Sequence, residues 1–357
     1  MPTPTYWDYL RLPDLLELQG GLDDTPSPDE LHFIVVHQSF ELWFKLILSQ
    51  LRLARDHLAA PRLPEEQVPF VVHHLGRVNA ILRLCVEQFA VMETLPPQDF
   101  LDFRDKLVPS SGFQSFQLRE LEIVLGLRQD QRIQYAGTDP LAHIRAQAHS
   151  PASVKVVARL EGALAEVSVH DALTGWLKRT PIQGSVPGAT GDEGVVDAFL
   201  EEYLARVEAH QLEGVEQLVR ALGEGDRVAI SARVRAGLDA TRGFLFPTDT
   251  AERRARAGLL FIETYRELPL LAWPRLLLDT VCELEEQLLL FRNRHARMVE
   301  RTIGRRVGTG GSSGVDYLDQ TTSYRVFPEL WAVRSCLLPR ARRPPLCGEE
   351  QYRFAGG

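Results

Sequence analysis

The stretch that most constrains this chain is Val281–Ile303, VCELEEQLLLFRNRHARMVERTI, which runs through Gly304 into RRVGTGGSSG. Leu284, Leu288, Phe291, His295, Met298 and Thr302 recur at the spacing of one face of a 3.6-residue helix. A helix this long with a continuous apolar stripe must bury that stripe, so the chain has to supply other helices to cover it. His295 is the exception on the stripe, because an imidazole costs free energy inside a protein unless its nitrogens find partners. Arg292, Asn293, Arg294, Arg297, Glu300 and Arg301 flank it on other faces. Two readings stand: a core histidine bonded to a neighbour, or an axial ligand to a metal or haem, since neutral imidazole is the commonest metal ligand.

The covering helices are legible. After Pro26 and Pro28, Phe33, His37, Phe40, Phe44, Ile47 and Leu51 mark one face of a long helix, with Asp29 and Glu30 suited to its first turn. A second helix is expected from about Pro64 to Glu93, turning Val71, Leu75, Val78, Leu82, Cys85 and Phe89 inward. PQDFLDFRDKL is a short third, and a fourth follows Pro109, capped by serines, with Leu118, Leu121 and Leu125 apolar. Ser153–Lys178 reads as one helix. Thr180–Glu193 is rich in glycine, proline and small polar residues and reads as a loop or mobile connection. Asp197–Leu222 and Arg227–Phe246 look like an exposed helical pair, and Leu259–Leu271 returns to apolar helix. The fold class expected is all-α: a single domain over residues 1–357, with an elaboration at about 182–246 and a loose tail at about 341–357.

Composition closes off several functions. Of 357 residues, 45% are hydrophobic and 25% charged, the balance of an ordinary globular protein. The formal charge of −8 leaves no general basic field for nucleic acid. Cys85, Cys282, Cys336 and Cys347 lie far apart and make neither a disulfide framework nor a zinc module. The N-terminal MPTPTYWDYLRLPD lacks the pattern of a signal peptide, and no uninterrupted apolar run of membrane-spanning length appears. A cytoplasmic protein with no membrane partner is the expectation.

Three features could carry chemistry. His37 sits on the apolar face of the early helix between Phe33 and Phe40, as His295 sits on the late one. Each alone reads first as a satisfied core histidine; together, on two helices of a bundle, they could flank a flat cofactor. GTGGSSG at Gly308–Gly314 lets a backbone approach a ligand closely and offers the hydroxyls of Thr309, Ser312 and Ser313. No Lys-Ser/Thr follows it, so it is not a Walker loop. Arg104 in FLDFRDKL reads first as a surface ion pair and second as a bidentate clamp on a carboxylate.

Taken together, TYWDYLRL, FIVVHQSFELWFK, METLPPQDFLDFRDKLVPSSGFQSFQLRELE, WLKRTP, RHARMVERTIG, GTGGSSGVDYL and FPELW resemble the tryptophan 2,3-dioxygenase family, in the family's order from residue 5 to about 331. The resemblance implies an all-helical haem protein that opens the indole ring of L-tryptophan with O₂ to give N-formylkynurenine. It implies His295 as axial ligand to the iron of haem b, with Phe291 and Ser111 beside the haem. It implies His37 as the distal histidine that accepts the indole N–H, and Phe33 as an aromatic wall. Ile34, Val35, Val36 and Phe100 join the substrate-contacting set, Arg104 pairs with the substrate carboxylate, and Thr309 helps hold its ammonium and carboxylate ends. Tyr6 and Tyr9 match tyrosines that reach a neighbouring subunit's pocket, which implies a homotetramer.

Departures bear on the substrate. Phe100 stands where some members carry tyrosine, Phe291 replaces a common tryptophan, and the Ile182–Phe246 region looks longer and more polar than in compact bacterial members. The rivals are a haem oxygenase of the same family acting on a modified tryptophan, by mono- or dioxygenation, and a haem sensor without turnover. Arg104 together with Thr309 argues against the sensor, which needs no amino-acid clamp.

Overall fold

A computed structural model of the chain describes residues 3, 5–108, 114–134, 139–146, 148–308 and 314–352. The described residues form fifteen α-helices and no β-strand. In order they are α1 (Tyr6–Leu10), α2 (Leu12–Leu15), α3 (Pro28–Ala59), α4 (Val68–Met92), α5 (Pro97–Arg104), α6 (Phe116–Leu125), α7 (Pro140–Ala146) and α8 (Pro151–Leu164). There follow α9 (Val169–Leu177), α10 (Asp192–Leu222), α11 (Arg227–Leu245), α12 (Thr250–Thr264), α13 (Ala272–Ile303), α14 (Val315–Thr321) and α15 (Pro328–Ala332). The all-α expectation holds.

The chain divides into two compact units. The first comprises Met1–Leu51, Arg77–Glu166 and Leu284–Tyr324. Its helices follow the apolar periods. On α3, Phe40, Phe44, Ile47 and Leu51 are buried, while Phe33 and His37 on the same stripe are only half-buried. By length and composition α3 is also apolar enough to cross a membrane, a measure that core helices of other proteins meet too. On α13 the stripe Leu284, Leu288, Phe291 and Met298 is buried, and the helix begins at Ala272, well before Val281. Ser115 caps α6 by accepting from the Leu118 N–H, and Gly126 closes it in the left-handed conformation.

The second unit comprises Arg52–Gly76, Val167–Glu283 and Arg325–Gly357. Here the sequence reading needs correcting. Ser153–Lys178 is two helices rather than one: α8 ends at Leu164, and Ser168 caps α9 by accepting from the Asp171 N–H. The pair α10 and α11 is less exposed than expected, because Val196, Phe199, Leu200, Tyr203, Leu204 and Val207 give α10 a continuous buried stripe. Thr180–Glu193 is pinned, with Ile182 fully buried and bridged to Ser185. Nor is the tail loose as far as Tyr352, whose buried ring lies 5.2 Å from that of Phe261 and whose hydroxyl accepts from Gly184 N–H at 3.2 Å. Tyr265 donates to the Pro344 carbonyl at 2.9 Å, and Cys347 N–H to Gln183 Oε1 at 2.6 Å. These bonds satisfy backbone that a solvated tail would leave to water.

Candidate active site

Within the first unit α3, α5, α6, α13 and α14, with Met92 at the end of α4, line a cavity of about 450 Å³, in the size range of small-molecule and cofactor sites. Its walls come from residues distant in sequence: Phe33, His37 and Glu41; Phe100 and Arg104; Leu118 and Arg119; and Phe291, Arg292, His295 and Met298. The two histidines singled out in the sequence therefore share one cavity.

On α3 the cavity takes Phe33, His37 and Glu41, spaced so that they stack on one face. The intervening Ile34, Val35 and Val36 do not line it. A helix rotates about 100° per residue, which turns Val36 into the core, leaves Val35 exposed and sets Ile34 half-buried. The Phe33 ring lies 3.9 Å from that of His37 and 5.9 Å from that of Phe100, centroid to centroid, so these rings form a continuous aromatic wall. His37 Nδ1 sits 2.7 Å from the Phe33 carbonyl oxygen. A carbonyl can only accept, so Nδ1 carries the proton and Nε2 is left as an acceptor. Burial lowers the pKa of this imidazole, against the Phe33 bond that raises it, and the ring is neutral at pH 7.

His295 stands on α13 with Phe89 stacked at 5.6 Å, nearly parallel at 11°, and Phe291 at 6.2 Å. Neither ring nitrogen has a hydrogen-bond partner among the described residues. Burial, then the nearby His37, Arg119 and Arg292, push its pKa down to about 4, which keeps it neutral with a lone pair available. The described residues hold no cluster of three or more His, Cys, Asp or Glu able to bind a metal ion. One neutral imidazole on a cavity wall instead suits a metal that arrives with most of its ligands already in place.

Arg104 has half its answer. Its Nη2 donates to the Val307 carbonyl at 2.6 Å, while its buried Nε has no partner and it makes no ion pair with the described residues. A guanidinium on a cavity wall without a carboxylate is complementary to an anionic ligand. Gly308 and Gly314, at the two ends of the glycine run, both line the cavity. Thr309, Ser312, Ser313 and Ser111 lie outside the described residues. Tyr6 and Tyr9 sit on α1, 71% and 80% exposed, and do not line this cavity.

Several wall residues escaped the sequence reading. Glu41 accepts from Ser115 Oγ at 2.6 Å and Gln117 Nε2 at 2.8 Å, tying α3 to the start of α6. Its place one turn after His37 was the available signal. Arg119 and Arg292 both ion-pair with the buried Glu122, and nothing in their local sequence distinguishes them from surface arginines.

A sequence model of the family described as Tryptophan 2,3-dioxygenase matches residues 2–337. The chain is 45% identical to "Tryptophan 2,3-dioxygenase 2" of Ralstonia nicotianae, over 99% of each chain. It is 45% identical to "Tryptophan 2,3-dioxygenase" of Sorangium cellulosum, over 98% of this chain and 87% of that one. Identity to "Tryptophan 2,3-dioxygenase" of Dictyostelium discoideum is 32%, over 98% and 88%. Sequence, helices and cavity thus lead to one assignment: the chain belongs to the tryptophan 2,3-dioxygenase family.

Proposed function

We propose that this protein cleaves the indole C2–C3 bond of L-tryptophan with O₂, giving N-formylkynurenine, with haem b held through His295. The observation that carries the reading is the pairing of a neutral His295, without a hydrogen-bond partner among the described residues, with His37 and Arg104 on one aromatic-walled cavity. Haem, when bound, supplies the oxygen chemistry that side chains lack. The residues of the chain bind, orient and exclude water.

Arg104 takes the substrate carboxylate, exchanging a neutral carbonyl partner for a charged one, with Thr309 beside the ammonium and carboxylate ends. Phe33 and Phe100 receive the indole ring. His37 Nε2 accepts the indole N–H, which sets the rotation of the ring about its long axis. Two anchors at opposite ends of a flat molecule fix both its position and its angle, and such fixation is worth several kcal/mol of a barrier. Indole is uncharged at neutral pH, so His37 serves as an orienting acceptor and is not required to remove a proton. Ser111 and Phe291 lie beside the haem in this reading. Tyr6 and Tyr9, exposed on α1, complete the pocket of a neighbouring subunit in a homotetramer.

The test is an absorption spectrum of the purified protein with and without L-tryptophan, followed by product mass after reaction in ¹⁸O₂. A haem spectrum perturbed by L-tryptophan and two labelled atoms in N-formylkynurenine support the reading. A single labelled atom in an oxindole would assign the chain to monooxygenation, and spectral change without substrate loss would assign it to sensing.

A further inference from the structure

Charge brackets the glycine run. Arg305 precedes it, just past the end of α13, and Asp316 follows it in the first turn of α14. Their side chains meet, Arg305 Nη1 donating to Asp316 Oδ1 at 2.6 Å. Arg305 also stands 3.6 Å from Glu300 on α13, and Arg297 pairs with both Glu300 and Asp319. These charges join the end of α13 to α14. A lone exposed pair contributes little, but a network of several pairs holds its geometry better. The backbone on the two sides of the run also meets: a Cβ on Gly314 would stand 2.9 Å from the Arg306 carbonyl oxygen, and Gly314 has φ +57°, so the position suits glycine alone. Gly308 and Gly314 line the cavity. Between Arg306 and Gly308, the Val307 carbonyl accepts from Arg104 Nη2 at 2.6 Å, and it is the one hydrogen-bond partner of that guanidinium among the described residues. Where Val307 sits therefore decides where Arg104 points.

We propose that Arg305 and Asp316 are positioning residues for the substrate: their ion pair fixes Val307, and the Val307 carbonyl aims the Arg104 guanidinium at the amino-acid carboxylate. The inference rests on the reading of Arg104 as the carboxylate clamp. Neither Arg305 nor Asp316 lines the cavity, so both act through the backbone between them. An arginine side chain has many rotamers, and ordering one at the moment of binding costs affinity. A carbonyl that already holds one Nη reduces that cost. The effect is confined to the carboxylate end of the ligand, because His37 and Phe33 stand on α3 and take no support from this ion pair.

The test is isothermal titration calorimetry of the purified full chain with L-tryptophan and with tryptamine, which keeps the indole and the ammonium but lacks the carboxylate. The wild-type chain should bind L-tryptophan about tenfold or more tightly than tryptamine, as a charge-assisted clamp requires. Arg305→Gln and Asp316→Asn should each weaken L-tryptophan binding about three- to fivefold, the scale of one exposed ion pair, and leave tryptamine binding unchanged. The double variant should lose no more than the weaker single, because both changes break one contact. Far-UV circular dichroism establishes that each variant is folded. Unchanged L-tryptophan affinity in both singles, equal losses for the two ligands, or losses that add in the double would each overturn the inference and leave Arg104 as the clamp. A wild-type chain with no preference for L-tryptophan over tryptamine would overturn the reading of Arg104 and this inference with it.

Discussion

The Nδ1–H of His37 points at the carbonyl of Phe33, one turn back along the same helix and 2.7 Å away. That bond uses the only proton of a neutral imidazole, so the face turned to the cavity can accept and cannot donate. With burial lowering the pKa, affinity for L-tryptophan should stay flat from pH 8 to about 6.5 and weaken below that range, as Nε2 gains a proton and repels the indole N–H. The dissociation constant measured from pH 8 to 5 tests this; loss of affinity above pH 7 would contradict it.

If His37 acts as proposed, replacing it with alanine removes an orienting acceptor and no required base. Turnover should fall and persist, with a larger effect on KM than on haem content. Complete inactivity in a variant that still binds haem and tryptophan would show that His37 moves a proton.

If Arg104 holds the substrate carboxylate as proposed, Arg104→Met should cost roughly 2–5 kcal/mol of substrate affinity, tens- to thousands-fold, because it deletes one half of a charged pair. Equilibrium titration with L-tryptophan measures it. A change below about threefold would mean that the carboxylate is held elsewhere.

Burial alone would raise the Glu122 carboxyl, but Arg119, Arg292 and Arg132 overcome that and hold it at about 2. A carboxylate with a depressed folded pKa contributes stability above its unfolded value, near 4.5, which is lost as pH falls toward about 2. Glu122→Gln should therefore destabilise the protein at pH 7 by about 3–5 kcal/mol, since it leaves buried guanidinium groups uncompensated. It should also flatten the acid side of the stability profile. Denaturant melts from pH 7 to 3 would show both effects, and a wild-type-like acid limb would refute the assignment.

Gly258 lies inside α12, where alanine ordinarily gains about 1 kcal/mol. Here an added methyl group would overlap the Leu177 carbonyl oxygen and come within 2.9 Å of Thr180 Oγ1. Gly258→Ala should thus reverse the usual sign and lower stability by about 1–3 kcal/mol, read from thermal or denaturant unfolding.

The helices of the first unit were legible because a 3.6-residue apolar period records which face is buried. Phe40, Ile47, Leu82 and Phe89 are all where that period puts them. The break between α8 and α9 was hidden, because Val157, Leu160, Leu164 and Val167 continue the period past the end of α8 and up to the cap at Ser168; Val167 proves to be 52% exposed. The Glu122 cluster was hidden for a different reason. Glu122 reads as a surface charge in LRELEIVLG, and its partner Arg292 is 170 residues away, a pairing that only tertiary packing creates. His37 and His295 were visible as polar residues on apolar stripes, yet periodicity left their role open. What it could not express is that both stripes line the same cavity.

The cavity walls run from Phe33 to Thr321. A nascent chain on the ribosome therefore has no complete pocket until Thr321 has been made. A fragment lacking α13 and α14 would keep Phe33, His37 and Glu41 on α3 but lose the walls that face them.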